Sequence, residues 1–108
     1  MAALAVALPI QTATAGVPQP SKLAEISKAV FGAEAPTAEC IAHYESTDGA
    51  WLVNGDQYGP WQIEQSAHMW VNPWRLVHDW WYAARVTYRI SDGGRDWAAW
   101  TTARECGV

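Results

Sequence analysis

Glu45 stands between an apolar stretch and a run of small and polar residues, His43-Tyr44-Glu45-Ser46-Thr47-Asp48-Gly49-Ala50-Trp51. A second segment, Tyr58-Gly59-Pro60-Trp61-Gln62-Ile63, follows shortly after it. A carboxyl group is the residue type that can protonate the leaving oxygen of a glycosidic bond. It does so near neutral pH only if its pKa is raised, and an apolar or aromatic wall raises it by disfavouring the charged form. Tyr44, Trp51 and Trp61 are the aromatic residues close to Glu45 in sequence. The plainer reading is a solvated charge at a helix end, the commoner fate of a glutamate. A two-carboxylate mechanism needs a partner about 5 to 9 Å away, and Asp48, Asp56 and Glu64 are the nearby candidates.

The elements that must position these residues read as mainly helical. Ser21 can cap a helix through Phe31, with Leu23, Ile26 and Val30 on one face and Gly32 as its stop. Pro36 suits the first turn of a second helix, Pro36 to Glu45, with Ile41 and Tyr44 on its apolar side. Glu45 then lies in the last turn, where the helix dipole places negative partial charge and helps keep a proton on. Between Ser46 and Pro60 the pairs Asp48-Gly49, Asn54-Gly55 and Gly59-Pro60 are turn signals around Trp51-Leu52-Val53. They predict an irregular hairpin or extended loop. The stretch Ile63 to Trp70 reads as a short helix. Asn72-Pro73 opens a long one to about Ser91, stopped at Gly93-Gly94, with Trp74, Val77, Trp81, Ala84 and Tyr88 at helical spacing. On that stripe Trp74 and Trp81 are expected in the core and Trp80 outside it. Asp96 caps a last short helix carrying Trp97 and Trp100.

The 108 residues suffice for one domain, half apolar and 17% charged, which is a globular composition. A net charge of -4 with seven scattered Lys and Arg argues against nucleic acid as a partner. Eight Trp against one Phe is unusual. A buried indole N–H wants an acceptor, so this excess suggests that some Trp line a groove. Residues 1–15 read as a signal-peptide remnant, with Ala13-Thr14-Ala15 as the small-residue cleavage pattern before Gly16, although no basic n-region precedes it. A frayed apolar tail is the alternative. The run is too short, and too interrupted by Pro9, to span a bilayer. Residues 16–20 form a stiff linker and 21–108 the domain. In a secreted chain the even count of Cys40 and Cys106 implies a disulfide; in a cytosolic one both would be buried thiols. No Cys/His spacing suggests a zinc site, and no metal or cofactor is expected.

The segment Glu45 to Ile63 resembles the catalytic segment of the lysozyme-like superfamily. In soluble-type lytic transglycosylases a helix ends in Glu-Ser, and a turn-rich stretch leads to a Gly, apolar residues and Gln. Glu45-Ser46, Gly59, Trp61 and Gln62 take those places. Resuscitation-promoting factors are similar in more detail, through Trp51, Asn54-Gly55, Tyr58-Gly59-Pro60-Trp61-Gln62-Ile63, the cysteines Cys40 and Cys106, and Gly94-Arg95-Asp96-Trp97 through Trp100. The match spans Cys40 to Cys106. It implies an α+β, mainly α, small lysozyme-like domain, with a short irregular β-hairpin and one disulfide. Its expected activity is cleavage of the β-1,4 link between N-acetylmuramic acid and N-acetylglucosamine in peptidoglycan.

Under that resemblance Glu45 is the general acid and then the base. Gln62 lines the cleft and bonds an N-acetyl group. Ser46 orients Glu45 or caps the helix end. Trp51, Tyr58 and Trp61 stack on sugar faces or belong to the core, and Tyr88 sits opposite Glu45. By a more distant likeness to goose-type lysozymes, Asp56 is a base that activates water; otherwise it is a turn former. The expected partner is the peptidoglycan glycan strand, met by a secreted monomer of bacterial or phage origin. The competing readings are a glycan-binding module without catalysis, and a structural cell-surface or phage protein on the same scaffold.

Overall fold

The computed structural model describes residues 17–108, so the signal-like segment 1–15 lies outside the described residues. Helix α1 (Pro20–Phe31) starts on a proline, which suits a first turn. Ser21, expected as its cap, therefore lies inside the helix, and Gln19 is the N-cap residue, with no side-chain cap bond. The helix stops at Gly32 with φ 57°. It buries Leu23, Ile26, Ser27 and Phe31. One 3₁₀ turn, Gly32–Glu34, leads into α2 (Ala35–Ser46), with Pro36 in its first turn. Thr47 ends α2 in the left-handed conformation. Its N–H donates to the His43 carbonyl at 2.9 Å, and that of Asp48 to the Ala42 carbonyl at 3.3 Å. These bonds satisfy carbonyls that a helix end otherwise leaves open. Glu45 is therefore held one residue from the end of a well-terminated helix.

The turn-rich stretch is a hairpin extended by a third strand. Strands β1 (Val53–Asn54), β2 (Gln57–Tyr58) and β3 (Ile63–Glu64) pair antiparallel in the order β1-β2-β3. Val53 pairs with Tyr58 and Asn54 with Gln57; Gln57 then pairs with Glu64 and Tyr58 with Ile63. The short helix expected from Ile63 to Trp70 is instead strand β3 followed by one 3₁₀ turn, Gln65–Ala67. Pairing with β2 takes Ile63 and Glu64 out of the helical register.

The long helix expected after Asn72 is two helices, α3 (Pro73–His78) and α4 (Trp80–Ile90). Asp79 separates them in an extended conformation, φ -127° and ψ 91°, and its side chain accepts from the Tyr82 N–H as an N-cap. The break rotates the phase of everything after it. Trp80, Ala83, Ala84 and Thr87 form the buried stripe of α4, and Trp80 is 1% exposed. Trp74 and Trp81, expected inside, are 65% and 40% exposed.

After α4 the chain turns through Gly93 and Gly94. The Asp96 side chain accepts from the Ala98 N–H at 3.0 Å, which makes a turn and not a helix start. Trp97 and Trp100 are both buried there, and a 3₁₀ turn, Thr101–Cys106, closes the fold. α1 packs on α2 and α4, α3 on α4 and β2, and the last 3₁₀ turn on α2. Cys106 is bonded to Cys40 of α2, with the two Cα atoms 5.8 Å apart. The fold is thus mainly helical, with a small three-stranded antiparallel sheet and one disulfide. Among the described residues no helix is long and apolar enough to cross a membrane.

Candidate active site

Glu45 opens onto a cleft of about 340 Å³. One wall is the sheet and the turn after it, through Gln57, Gln62, Ile63, Glu64, Ala67 and His68. The other is the C-terminal segment Ala99, Trp100, Thr101 and Thr102, with Ile90 from the end of α4. Glu45 is half-buried, and burial holds its pKa above the ordinary glutamate value; the Thr102 hydroxyl acts in the opposite direction. That hydroxyl donates to Glu45 Oε2 at 2.7 Å. The position at the negative end of α2 adds to the effect of burial. Such an acid can keep its proton at a pH where a solvated glutamate has lost it.

The apolar surroundings differ from those nearest in sequence. Tyr44 and Trp51 are exposed, Trp51 to 67%, and Trp61 is fully buried away from the cleft. Ile63, Ile90 and Trp100 supply the apolar lining instead. Trp100 is itself fixed, since its indole N–H donates to the Trp61 carbonyl at 2.8 Å. Trp61 in turn donates to the Ala38 carbonyl of α2 at 2.8 Å. This ladder ties the cleft's C-terminal wall through the sheet turn to the helix that carries Glu45.

Gln62 reaches the cleft, but its side chain is largely committed. Its Nε2 donates to the carbonyls of Gly59 (3.0 Å) and Trp51 (3.3 Å), and its Oε1 accepts from Asn54 Nδ2 (2.9 Å). The residue also has φ 52°, a left-handed conformation uncommon outside glycine. Its three bonds hold that conformation and brace the turn between β2 and β3. What remains for a ligand is acceptor capacity on Oε1.

The other residues singled out in the sequence lie elsewhere. Ser46 is 1% exposed and makes no bond to Glu45. Its hydroxyl lies 2.7 Å from the Pro60 carbonyl and 3.1 Å from that of Ala42, and it accepts from the Gly49 N–H at 2.8 Å. It ties the end of α2 to the sheet turn. Gly59 has φ 85°, and a Cβ there would sit 2.6 Å from the Leu76 carbonyl oxygen, so glycine lets the turn lie against α3. Tyr58 faces a separate groove with Val53, Pro73, Trp74, Val77 and His78. Tyr88 packs on Phe31, ring centroids 5.7 Å apart, and does not line the cleft. Asp56 is fully exposed and also outside it. Hydrogen bonds from the Ser66 side chain and N–H hold its carboxyl below the ordinary range, the N–H at 2.8 Å. Asp48 lies beside His43, 3.3 Å from Nδ1.

Of the three nearby carboxylates, Glu64 is the one in the cleft. His68 is there too, its Nδ1 donating to the Glu64 carbonyl at 3.1 Å. Thr102, Trp100 and His68 had no signal in the sequence strong enough to place them near Glu45. Among the described residues no group of His, Cys, Asp and Glu is arranged to hold a metal ion. No protein-family model, curated protein or solved structure matches the chain.

Proposed function

We propose that the chain is a peptidoglycan-cleaving glycosidase of lysozyme-like type, a muramidase or lytic transglycosylase acting on the MurNAc-β-1,4-GlcNAc bond. The observation that carries this reading is a single half-buried glutamate, biased toward its protonated form, in a cleft between a small sheet and the C-terminal segment. Glu45 gives its proton to the glycosidic oxygen as the C–O bond breaks, and charge develops on the sugar ring. As a carboxylate it then takes a proton from the attacking hydroxyl, either water or the sugar's own 6-hydroxyl, and returns to its starting state. Glu64 shares the cleft, which supports it over Asp56 as a group to activate water. A peptidoglycan substrate lies outside the cytoplasm, and the disulfide supports such a location for the protein. The test is release of soluble muropeptides from purified cell walls by wild type and by Glu45→Gln. Equal release by the two would sink the assignment.

One observation favours a second reading, a glycan-binding module. The groove beside Tyr58 carries Trp74, 65% exposed and stacked on His78 with centroids 4.3 Å apart. A flat exposed ring suits the face of a sugar. Under this reading both proteins bind cell walls and neither cleaves them.

A further inference from the structure

Thr102 meets Glu45 across 57 positions of sequence, its Oγ1 donating to Oε2 at 2.7 Å. Neither partner is on a free segment. Glu45 is in the last turn of α2, and Thr102 is in the 3₁₀ turn Thr101–Cys106 that packs on α2. The Cys40–Cys106 disulfide joins the same two elements covalently. Among the described residues Thr102 is the one side chain hydrogen-bonded to this carboxyl. The hydroxyl can donate to Oε2 in both protonation states, to a carboxylate oxygen when Glu45 is ionised and to the carbonyl oxygen when the proton is on Oε1. Among the described residues no hydrogen bond engages Oε1, and Glu45 lines the cleft.

We propose that Thr102 is a positioning residue, which keeps Glu45 Oε2 on its hydroxyl throughout the proton transfers and so presents Oε1 to the glycosidic oxygen. This rests on the reading of Glu45 as the acid. The bond also favours the ionised form, and so moderates the effect of burial. The other titratable groups facing the cleft are Glu64 from β3 and His68 from the turn after it; Ile90 and Ala99–Thr101 bring none.

The experiment follows the carboxyl itself. Protein labelled with ¹³C at glutamate side-chain carboxyls is titrated by NMR as wild type, Thr102→Val and Thr102→Ser, each also carrying Glu64→Gln to separate that signal. Thr102→Val is expected to move the Glu45 midpoint upward, and Thr102→Ser to return it toward wild type. On cell walls Thr102→Val should lower kcat roughly tenfold with KM changed less than twofold, and shift the alkaline limb of the pH profile upward. Thr102→Ser should recover both. An unchanged Glu45 midpoint in Thr102→Val, or a serine variant no closer to wild type than valine, overturns the proposal. If wild type releases no muropeptides, the reading of Glu45 as an acid falls, and the titration still decides whether Thr102 governs the carboxyl.

Discussion

Two grooves flank the sheet, and neighbouring residues of β2 divide between them. Gln57 lines the cleft of Glu45, while Tyr58 lines the groove with Trp74 and His78. Strand alternation sends successive side chains to opposite faces, which is how one short strand serves both. The first groove is built of carboxyls, amides and hydroxyls around a few apolar residues. The second is mostly apolar, and its Trp74 is steadied by His78, whose Nδ1 donates to the Trp74 carbonyl at 3.0 Å. The tryptophans divide in a similar way. Trp61, Trp80, Trp97 and Trp100 are buried, and each indole N–H reaches a backbone carbonyl. Trp51, Trp70, Trp74 and Trp81 are exposed, and none lines the cleft of Glu45. The buried indoles assemble the acid's surroundings, and the exposed aromatic surface lies apart from it.

Substitutions on the two sides should separate them. Glu45→Gln is expected to lower the rate of muropeptide release about 10²- to 10⁴-fold, while Trp74→Ala keeps the rate within about tenfold and weakens retention on cell walls. Equal losses in rate would erase the distinction between the grooves. Replacing Cys40 and Cys106 together by Ser should cost about 4 kcal/mol of stability by chemical denaturation. It should harm cleavage more than wall retention, because the disulfide ties the cleft's C-terminal wall to the helix of Glu45, and neither cysteine lines the second groove. Gly59→Ala affects the turn that lies between the two grooves. With φ 85° and the Leu76 carbonyl in the way, it should lose roughly 1 to 3 kcal/mol, read as a lowered Tm.

The smallest effect is one of pH. The Glu45 pKa is raised above its ordinary value of 4.5 by burial, so the folded state binds more protons than the unfolded state between the two values. Stability contributed by this group falls as pH rises through that window, and the full penalty is present above the folded pKa. Glu45→Gln removes the penalty. It should be at least as stable as wild type at pH 7, with the difference vanishing below the unfolded value. A variant less stable at pH 7 than at pH 4, relative to wild type, contradicts this sign.

The second helix, the end of the first and the hairpin were legible because their signals are local: Pro36 in a first turn, Gly32 as a stop, and turn pairs around Leu52 and Val53. The break at Asp79 was not. Trp74, Val77, Trp81 and Ala84 keep helical spacing across it, and Asp79 acts as a cap only by accepting from the Tyr82 N–H. The real stripe, Trp80-Ala83-Ala84-Thr87, has the same period in another phase. At the site, Glu45 was legible from its company in the chain, but the cleft was not. Ser46, Gly59 and Trp61 belong to the same two segments, His43 to Trp51 and Tyr58 to Ile63, and hold α2, the sheet turn and α3 together. Thr102 and Trp100 reach the acid's surroundings through long-range packing, which no spacing rule reads.

The contact between Glu45 and Thr102 also sets an order of assembly. Chain synthesis produces the glutamate well before the threonine, and a loop of that length must close before they meet. A nascent chain extended only through the sheet has the acid without its hydroxyl partner and without the second wall of the cleft. The carboxyl is completed by a segment synthesised after the sheet. An unfinished chain therefore carries Glu45 without the hydroxyl and the wall that set its surroundings.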